Sequence, residues 1–168
     1  DAQESRGLGD VYKRQTPPLG AAACHQRPGV VIIGHFMSKK RVMQLVRGLH
    51  NLRPEHRGCV ATIGNFDGVH RGHQAILARL RERGQALGLP TCVVIFEPQP
   101  REYFAPDTAP ARLARLRDKI ELLATEGIDR VLCLAFNQRL SKLSADAFVK
   151  AILVDGLGVR HLEVGDDF

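Results

Sequence analysis

The chain has no tryptophan, and aromatic residues make up only 5% of its 168 positions. It carries no unbroken apolar run of about 18 residues, the length a membrane-crossing helix needs, so no membrane span is expected. Its cysteines, Cys24, Cys59, Cys92 and Cys133, include no C-x-x-C pair. No cysteine pair or third histidine stands at zinc-ligand spacing. Three of the four cysteines lie in apolar, strand-like runs, where a reduced buried thiol is the simplest reading, and a reducing, cytoplasmic setting follows. Two phosphate-binding signatures are also missing. Without G-x-x-x-x-G-K-[ST] a P-loop is excluded, and without G-x-G-x-x-G a dinucleotide oxidoreductase is disfavoured.

What is present suffices for one domain with a core, since 44% of the residues are apolar. The formal net charge of +6 invites a nucleic-acid partner, but its distribution argues against one. Residues 1–42 hold seven Lys/Arg against three Asp/Glu, so four of the six net charges lie there. That segment lacks sustained periodicity and is broken by Pro17-Pro18 and Pro28-Gly29. Its apolar patch, Val30 to Ile33, is too short for a secretory h-region. Residues 1–42 are therefore expected to be a non-native or disordered leader, with the folded domain spanning 43–168.

From Met43 to Leu49 the pattern suits a short edge strand. Cys59–Ile63, Thr91–Phe96 and Arg130–Phe136 are apolar runs rich in β-branched residues, as expected of strands covered on both faces, and Arg160–Val164 is a further strand. Gln74 to Leu87 reads as an amphipathic helix stopped by Gly88 and Pro90. A further helix is expected to begin near Pro110 with Leu113, Leu116, Ile120 and Leu123 on its core stripe. Ser144 caps another, running to about Asp155. Phe96–Pro100, with two prolines, reads as a stiff, non-helical loop. The alternation predicts an α/β fold with a parallel sheet, whose ligands bind at the carboxyl ends of the strands.

The chain is organised around Gly64-Asn65-Phe66-Asp67-Gly68-Val69-His70-Arg71-Gly72-His73, which joins a buried strand to a helix. A helix start offers unpaired amides and a positive dipole end, which suit phosphate. Gly64, Gly68 and Gly72 let a ligand approach the main chain. His70 and His73, three apart, share a face once the helix has begun. Asn65 and Asp67 suit either nucleotide contact or the turn itself. Asn137, after the third central strand, suits either a nucleotide contact or a helix cap.

The same residues resemble a known family. H-x-G-H, as His70, Gly72 and His73, is the signature of the nucleotidyltransferase superfamily. The longer stretch resembles the FMN adenylyltransferase (FAD synthetase) module of prokaryotic bifunctional riboflavin kinase/FMN adenylyltransferases. R-G-L-H-N-L (Arg47–Leu52), F-E-P-Q-P (Phe96–Pro100), L-S-A-D-A-F (Leu143–Phe148) and V-G-D-D-F (Val164–Phe168) match in order and spacing. The resemblance runs from about Met43 to the last residue. Many members carry Asp and His where Glu97 and Gln99 stand, and members continue past D-D-F into further motifs and a riboflavin kinase domain.

The resemblance implies a Rossmann-like nucleotidyltransferase fold with helices on both faces of the sheet, truncated at the C-terminus. It implies FMN + ATP → FAD + pyrophosphate, with ATP and FMN as substrates, Mg²⁺ as cofactor and no kinase activity. His70 and His73 would be catalytic. Gly64, Asn65, Phe66, Asp67, Gly68, Gly72 and Asn137 would hold nucleotide. Phe96, Glu97, Pro98 and Pro100 would face flavin, and Asp167 would help hold metal or the flavin phosphate. Three other readings stay open: an H-x-G-H transferase acting on another phosphorylated acceptor, an inert nucleotide-binding fragment, and a basic nucleic-acid binder.

Overall fold

Continuous apolar patterning in the strands and striped patterning in the helices call for a sheet covered on both faces, and such a sheet forms. The computed structural model describes residues 42–165. The expected leader, except residue 42, and Asp167 therefore lie outside the described residues. Five strands, β1 (Gln44–Arg47), β2 (Cys59–Ile63), β3 (Thr91–Glu97), β4 (Arg130–Ala135) and β5 (Val159–Glu163), pair in the order β1-β4-β3-β2-β5. All four pairings are parallel. The Met43–Leu49 run contributes the edge strand expected of it, trimmed to four residues.

Alternate strand residues face opposite layers, as a period of two requires. Val60, Val93, Ile95 and Val131 pack with Leu77 and Leu80 of α1 (Arg71–Leu87) and with Leu123 of α3 (Leu116–Thr125). Cys59, Ala61, Cys92, Val94, Leu132 and Leu134 face the other way, onto Ile152, Leu153 and Leu157. Full burial of a leucine such as Leu77 contributes about 1.5–3 kcal/mol.

Helix α1 ends as its sequence announces. Gly88 adopts φ 63°, and Leu89 N–H closes back on the Gly84 carbonyl at 2.9 Å, satisfying a terminal acceptor. The helix also lies close to the sheet: a Cβ placed on Gly84 would stand 2.9 Å from the Leu89 carbonyl oxygen and 3.3 Å from Val60 Cγ2.

Two expectations are corrected, and a third is met with a change of helix type. The helix expected near Pro110 starts only at Leu116, and Leu113, assigned to its core stripe, is 79% exposed. The reason lies in the functional site, where the backbone amides of Leu113 and Ala114 are drawn into bonds with the Asp67 side chain instead of helical ones. The bend after β3 is not wholly non-helical either. Pro100 is the first residue of α2 (Pro100–Phe104), where a proline's missing N–H costs nothing, and Glu102 accepts the Gln99 N–H at 2.9 Å. Finally, Ser144 does cap a helix, with Ala147 N–H donating to Ser144 Oγ at 3.2 Å. That helix, α5 (Ala145–Phe148), widens into a π-helical turn over Val149–Val154 instead of running on as regular α-helix. A short α4 (Gln138–Ser141) precedes it.

The topology sets where a ligand can go. From β2 the chain proceeds through α1 to β3 on one side, while β5 flanks β2 on the other. In parallel sheets of this kind ligands bind at the carboxyl ends of the strands.

Gly84→Val is expected to destabilise the domain by about 1–3 kcal/mol, because the backbone carbonyl facing the new methyls cannot yield cheaply. A lowered urea midpoint at unchanged m-value checks this.

Candidate functional site

The Gly64–His73 stretch sits at the carboxyl end of β2, tied to β3 by Gly64 N–H donating to the Val94 carbonyl at 3.1 Å. Reversing into α1 over so few residues puts Phe66 (φ 47°) and Val69 (φ 39°) in the left-handed region, beside Gly68 at φ 74°. Each of the two L-residues bears a cost of order 1–3 kcal/mol there. Burial of the same side chains offsets it: Phe66 is 1% exposed and Val69 6%, both packed with Leu77, Leu80 and Ile95. Phe66 also explains Gly64, since a Cβ at 64 would stand 3.1 Å from the Phe66 ring. Phe66, expected from the resemblance to hold nucleotide, is thus a buried wedge under the turn. Asn65 is half-buried at its mouth.

The turn delivers His70 to the N-cap of α1. Its Nδ1 accepts the His73 N–H at 3.4 Å. A nitrogen that accepts here keeps its lone pair, so in the neutral ring the proton sits on Nε2. The His73 ring stacks on that of His70 at 3.8 Å between centroids and lies 4.7 Å from Phe66. No acidic residue occupies the first turn of α1, so the positive helix end is not neutralised from within. Gly72 lies under the His70 ring, where a Cβ would be 3.2 Å away.

Asp67 is turned away from solvent toward the segment before α3. Its two oxygens accept the amides of Leu113 (2.9 Å) and Ala114 (2.8 Å). Burial acts to raise its pKa, but those amides, the Lys119 charge and the Gln99 side chain outweigh it, and the carboxyl titrates below its ordinary value. Of the two uses open to Asp67, the structure displays the structural one.

Neighbouring strand ends bring the other segments to the same rim. At the end of β3, Glu97 Oε1 accepts Arg112 Nη2 at 2.6 Å. Arg112 also donates to Glu102, from Nη2 at 2.5 Å and from Nε. Glu102 and then Glu97 raise the pKa of that guanidinium. Phe96 meets Phe136 edge to face at 5.7 Å, and Phe136 meets Tyr103 (5.3 Å) and Phe104 (5.6 Å) of α2. Tyr103 and Phe104 keep 36% and 66% of their surface exposed. Pro98 is exposed and Pro100 half-buried beside them. Asn137 is the N-cap of α4; its side-chain oxygen accepts Arg139 N–H at 3.0 Å and Leu140 N–H at 3.1 Å.

Sequence reasoning missed the aromatic pair on α2, Arg112 and Lys119. The pair had a readable signal: a proline followed two residues later by glutamate marks a helix start. Lys119 had none, since a lysine inside a helix reads as surface, yet it is 1% exposed. Burial pushes its ammonium below the ordinary range, and Asp67 and Glu97 act to hold it up.

Among the described residues no three His, Cys, Asp or Glu side chains gather where a metal ion could be held. Asp167, the residue expected to help hold a metal, lies outside the described residues. No helix among them is long and apolar enough to cross a membrane.

A parallel sheet with an anion-favouring helix start at its carboxyl rim defines an α/β protein of the nucleotide-handling class. The sequence model of the FAD synthetase family matches residues 52–168, and the chain belongs to that family. A bifunctional riboflavin kinase/FMN adenylyltransferase of Pseudomonas fluorescens is 79% identical over 126 residues, covering 75% of this chain and 40% of that protein. The protein of the same description from Escherichia coli K12 is 55% identical over 127 residues, covering 75% and 41%. The chain thus spans about two-fifths of the length of these curated relatives. The crystal structure of a macrolide-efflux protein from Streptococcus pneumoniae shares the fold, with a TM-score of 0.63 at 20% identity over 75% of this chain and 42% of that one.

Because Asp67 titrates lower when folded than when unfolded, it contributes stability that is present above about pH 4 and lost as the pH falls through its folded value. Asp67→Asn leaves one amide without its acceptor and is expected to cost about 1–3 kcal/mol at neutral pH. The variant should also lose less further stability on acidification. Urea midpoints between about pH 7 and pH 3 check both; parallel curves contradict them.

Proposed function

We propose that this domain transfers AMP from ATP to FMN, forming FAD and releasing pyrophosphate. The observation that carries this reading is the stacked His70–His73 pair seated on the start of α1, at the mouth of β2. The relatives' descriptions supply the acceptor, and the aromatic group of Phe96, Phe136, Tyr103 and Phe104 supports it. Exposed edge-to-face rings at the next strand end suit a flat, apolar heterocycle.

In the reaction an oxygen of the FMN phosphate forms a bond to the α-phosphorus of ATP. The bond from that phosphorus to the bridging oxygen breaks, and pyrophosphate leaves with the electron pair. The nucleophile is already an anion, so no strong general base is needed. What the site must supply is alignment of two anions and stabilisation of charge on the phosphates. The amides opening α1 and the His70 Nε2–H are donors fixed before substrate arrives. His73, stacked behind His70, holds that ring in place and presents its own edge to the same side. Asn65, Gly68 and Gly72 line the approach, and Asn137 bounds it beyond β4. The description of the relatives as bifunctional makes a riboflavin kinase domain the expected partner for this module.

Mixing the protein with FMN, ATP and Mg²⁺ and following FAD by chromatography tests the reading. FAD is the expected product, and turnover only with a different phosphorylated acceptor contradicts it. Binding of both substrates without FAD marks an inert fragment and overturns the activity. His73→Ala is expected to slow turnover about 100-fold or more, the usual cost of one preorganised donor. His70→Asn separates its two duties: the amide oxygen keeps the cap, worth about 1 kcal/mol, while the imidazole donor is lost. Turnover should fall as in His70→Ala while thermal stability stays near wild type. Full activity in His70→Asn contradicts the donor role.

A further inference from the structure

Residues 112–114, in the segment joining α2 to α3, are bonded directly to both halves of the rim. On the nucleotide side, Asp67 accepts the Leu113 and Ala114 amides at 2.9 and 2.8 Å. The Leu113 side chain also lies against that turn, since a Cβ placed on Gly68 would stand 3.3 Å from it. On the other side, the Arg112 guanidinium donates to Glu97 Oε1 at 2.6 Å and to Glu102 Oε2 at 2.5 Å. Glu97 closes β3, and Glu102 directly precedes Tyr103 on α2. That helix has five residues, too few to persist on propensity alone, so its place must come from outside contacts. The Arg112 side chain is 30% exposed, and those of Glu97 and Glu102 are 28% and 21% exposed. Water therefore screens this forked pairing less than it screens a free surface pair.

We propose that Arg112 is a positioning residue: clamping Glu97 and Glu102 from a segment itself bonded to the nucleotide turn, it holds Tyr103 and Phe104 of α2 at a set distance from His70, where they meet the flavin mononucleotide. The inference rests on the function proposed above. It assigns Arg112 no contact with substrate. Losing the clamp frees α2 and weakens the flavin side alone, while the Gly64–His73 turn keeps its packing around Phe66.

Arg112→Met removes the fork. Titration of the whole chain with FMN, followed by flavin fluorescence, should give a Kd raised about tenfold, with the calorimetric Kd for ATP within about twofold of wild type. Glu102→Gln breaks the pairing from the other end, while its amide oxygen can still accept the Gln99 N–H and keep the helix start. It should weaken FMN binding in the same way, and the double variant should be no worse than the weaker single one. Arg112→Lys, a point charge that cannot fork between two carboxylates, should recover only part of the affinity. An unchanged FMN Kd in Arg112→Met overturns the inference, as does an equal weakening of ATP. Weakened FMN binding in Arg112→Met with none in Glu102→Gln makes Arg112 a substrate contact and overturns the positioning role.

A spectroscopic readout stands apart from substrate. The sequence holds two tyrosines, Tyr12 and Tyr103, and no tryptophan, so Tyr12→Phe leaves the fluorescence of Tyr103 alone. In that background, Arg112→Met and Glu102→Gln should each raise acrylamide quenching of Tyr103 by about 1.5-fold or more as α2 opens. Unchanged quenching overturns the clamp whatever the FMN titration gives. Raised quenching in a chain whose parent binds no FMN overturns the proposed reaction and leaves the clamp standing.

Discussion

The burial of Phe66 is the contact on which the site depends. Left-handed backbone at a phenylalanine and again at a valine three residues on is unfavourable in isolation. It persists because both side chains enter the layer between the sheet and α1, where each gains about as much from leaving water as the backbone loses. The turn they hold is tight enough to place residue 70 at the cap of a 17-residue helix. Without that wedge the histidines would lie on the same helix but not over the mouth of β2. A residue that resemblance assigns to nucleotide binding thus holds the turn in shape from beneath.

His70 shows how one residue can be both structural and chemical. Capping fixes the ring's rotation, because Nδ1 must point at the first turn of the helix, and it fixes the tautomer, because that nitrogen must keep its lone pair. The opposite edge of the ring then carries a donor aimed outward with no freedom left to lose. Stacking by His73 adds a second restraint. Preorganised donors are effective at charged transition states because little reorganisation is left for the moment of reaction.

The strands, α1 and the strand-turn-helix junction were legible in the sequence because their signals are local: unbroken β-branched runs, a 3.6-residue stripe, and glycine at the helix stop. The family resemblance was legible for the same reason, resting on short ordered motifs. What stayed hidden is set by distant partners. Leu113 fits the helical stripe with Leu116, Ile120 and Leu123, yet Asp67, 46 residues earlier, takes the Leu113 amide and stops the helix from extending back. The two prolines after β3 masked α2 and with it Tyr103 and Phe104. Lys119 could be found only by seeing that α3 carries it almost wholly out of solvent. Asn137 was readable as cap or contact, and only coordinates display the cap.

Three carboxylates beside the site proposed for polyphosphate look like a contradiction. An uncompensated carboxylate about 6 Å from a phosphate charge would oppose it by roughly 3 kcal/mol at an effective dielectric of about 20. None of the three is left uncompensated. Asp67 spends its oxygens on two amides, and Glu97 and Glu102 share Arg112, with Lys119 behind Asp67 and Glu97. The acids are thereby converted from repelling charges into cross-links between the turn, the bend and the segment before α3. The positive end of α1, with no acidic residue in its first turn, and the outer edge of the His70 ring stay open to an anion at the same rim. Placing the acids where their charge is consumed internally is what allows the same few residues to be both rigid and attractive to anions.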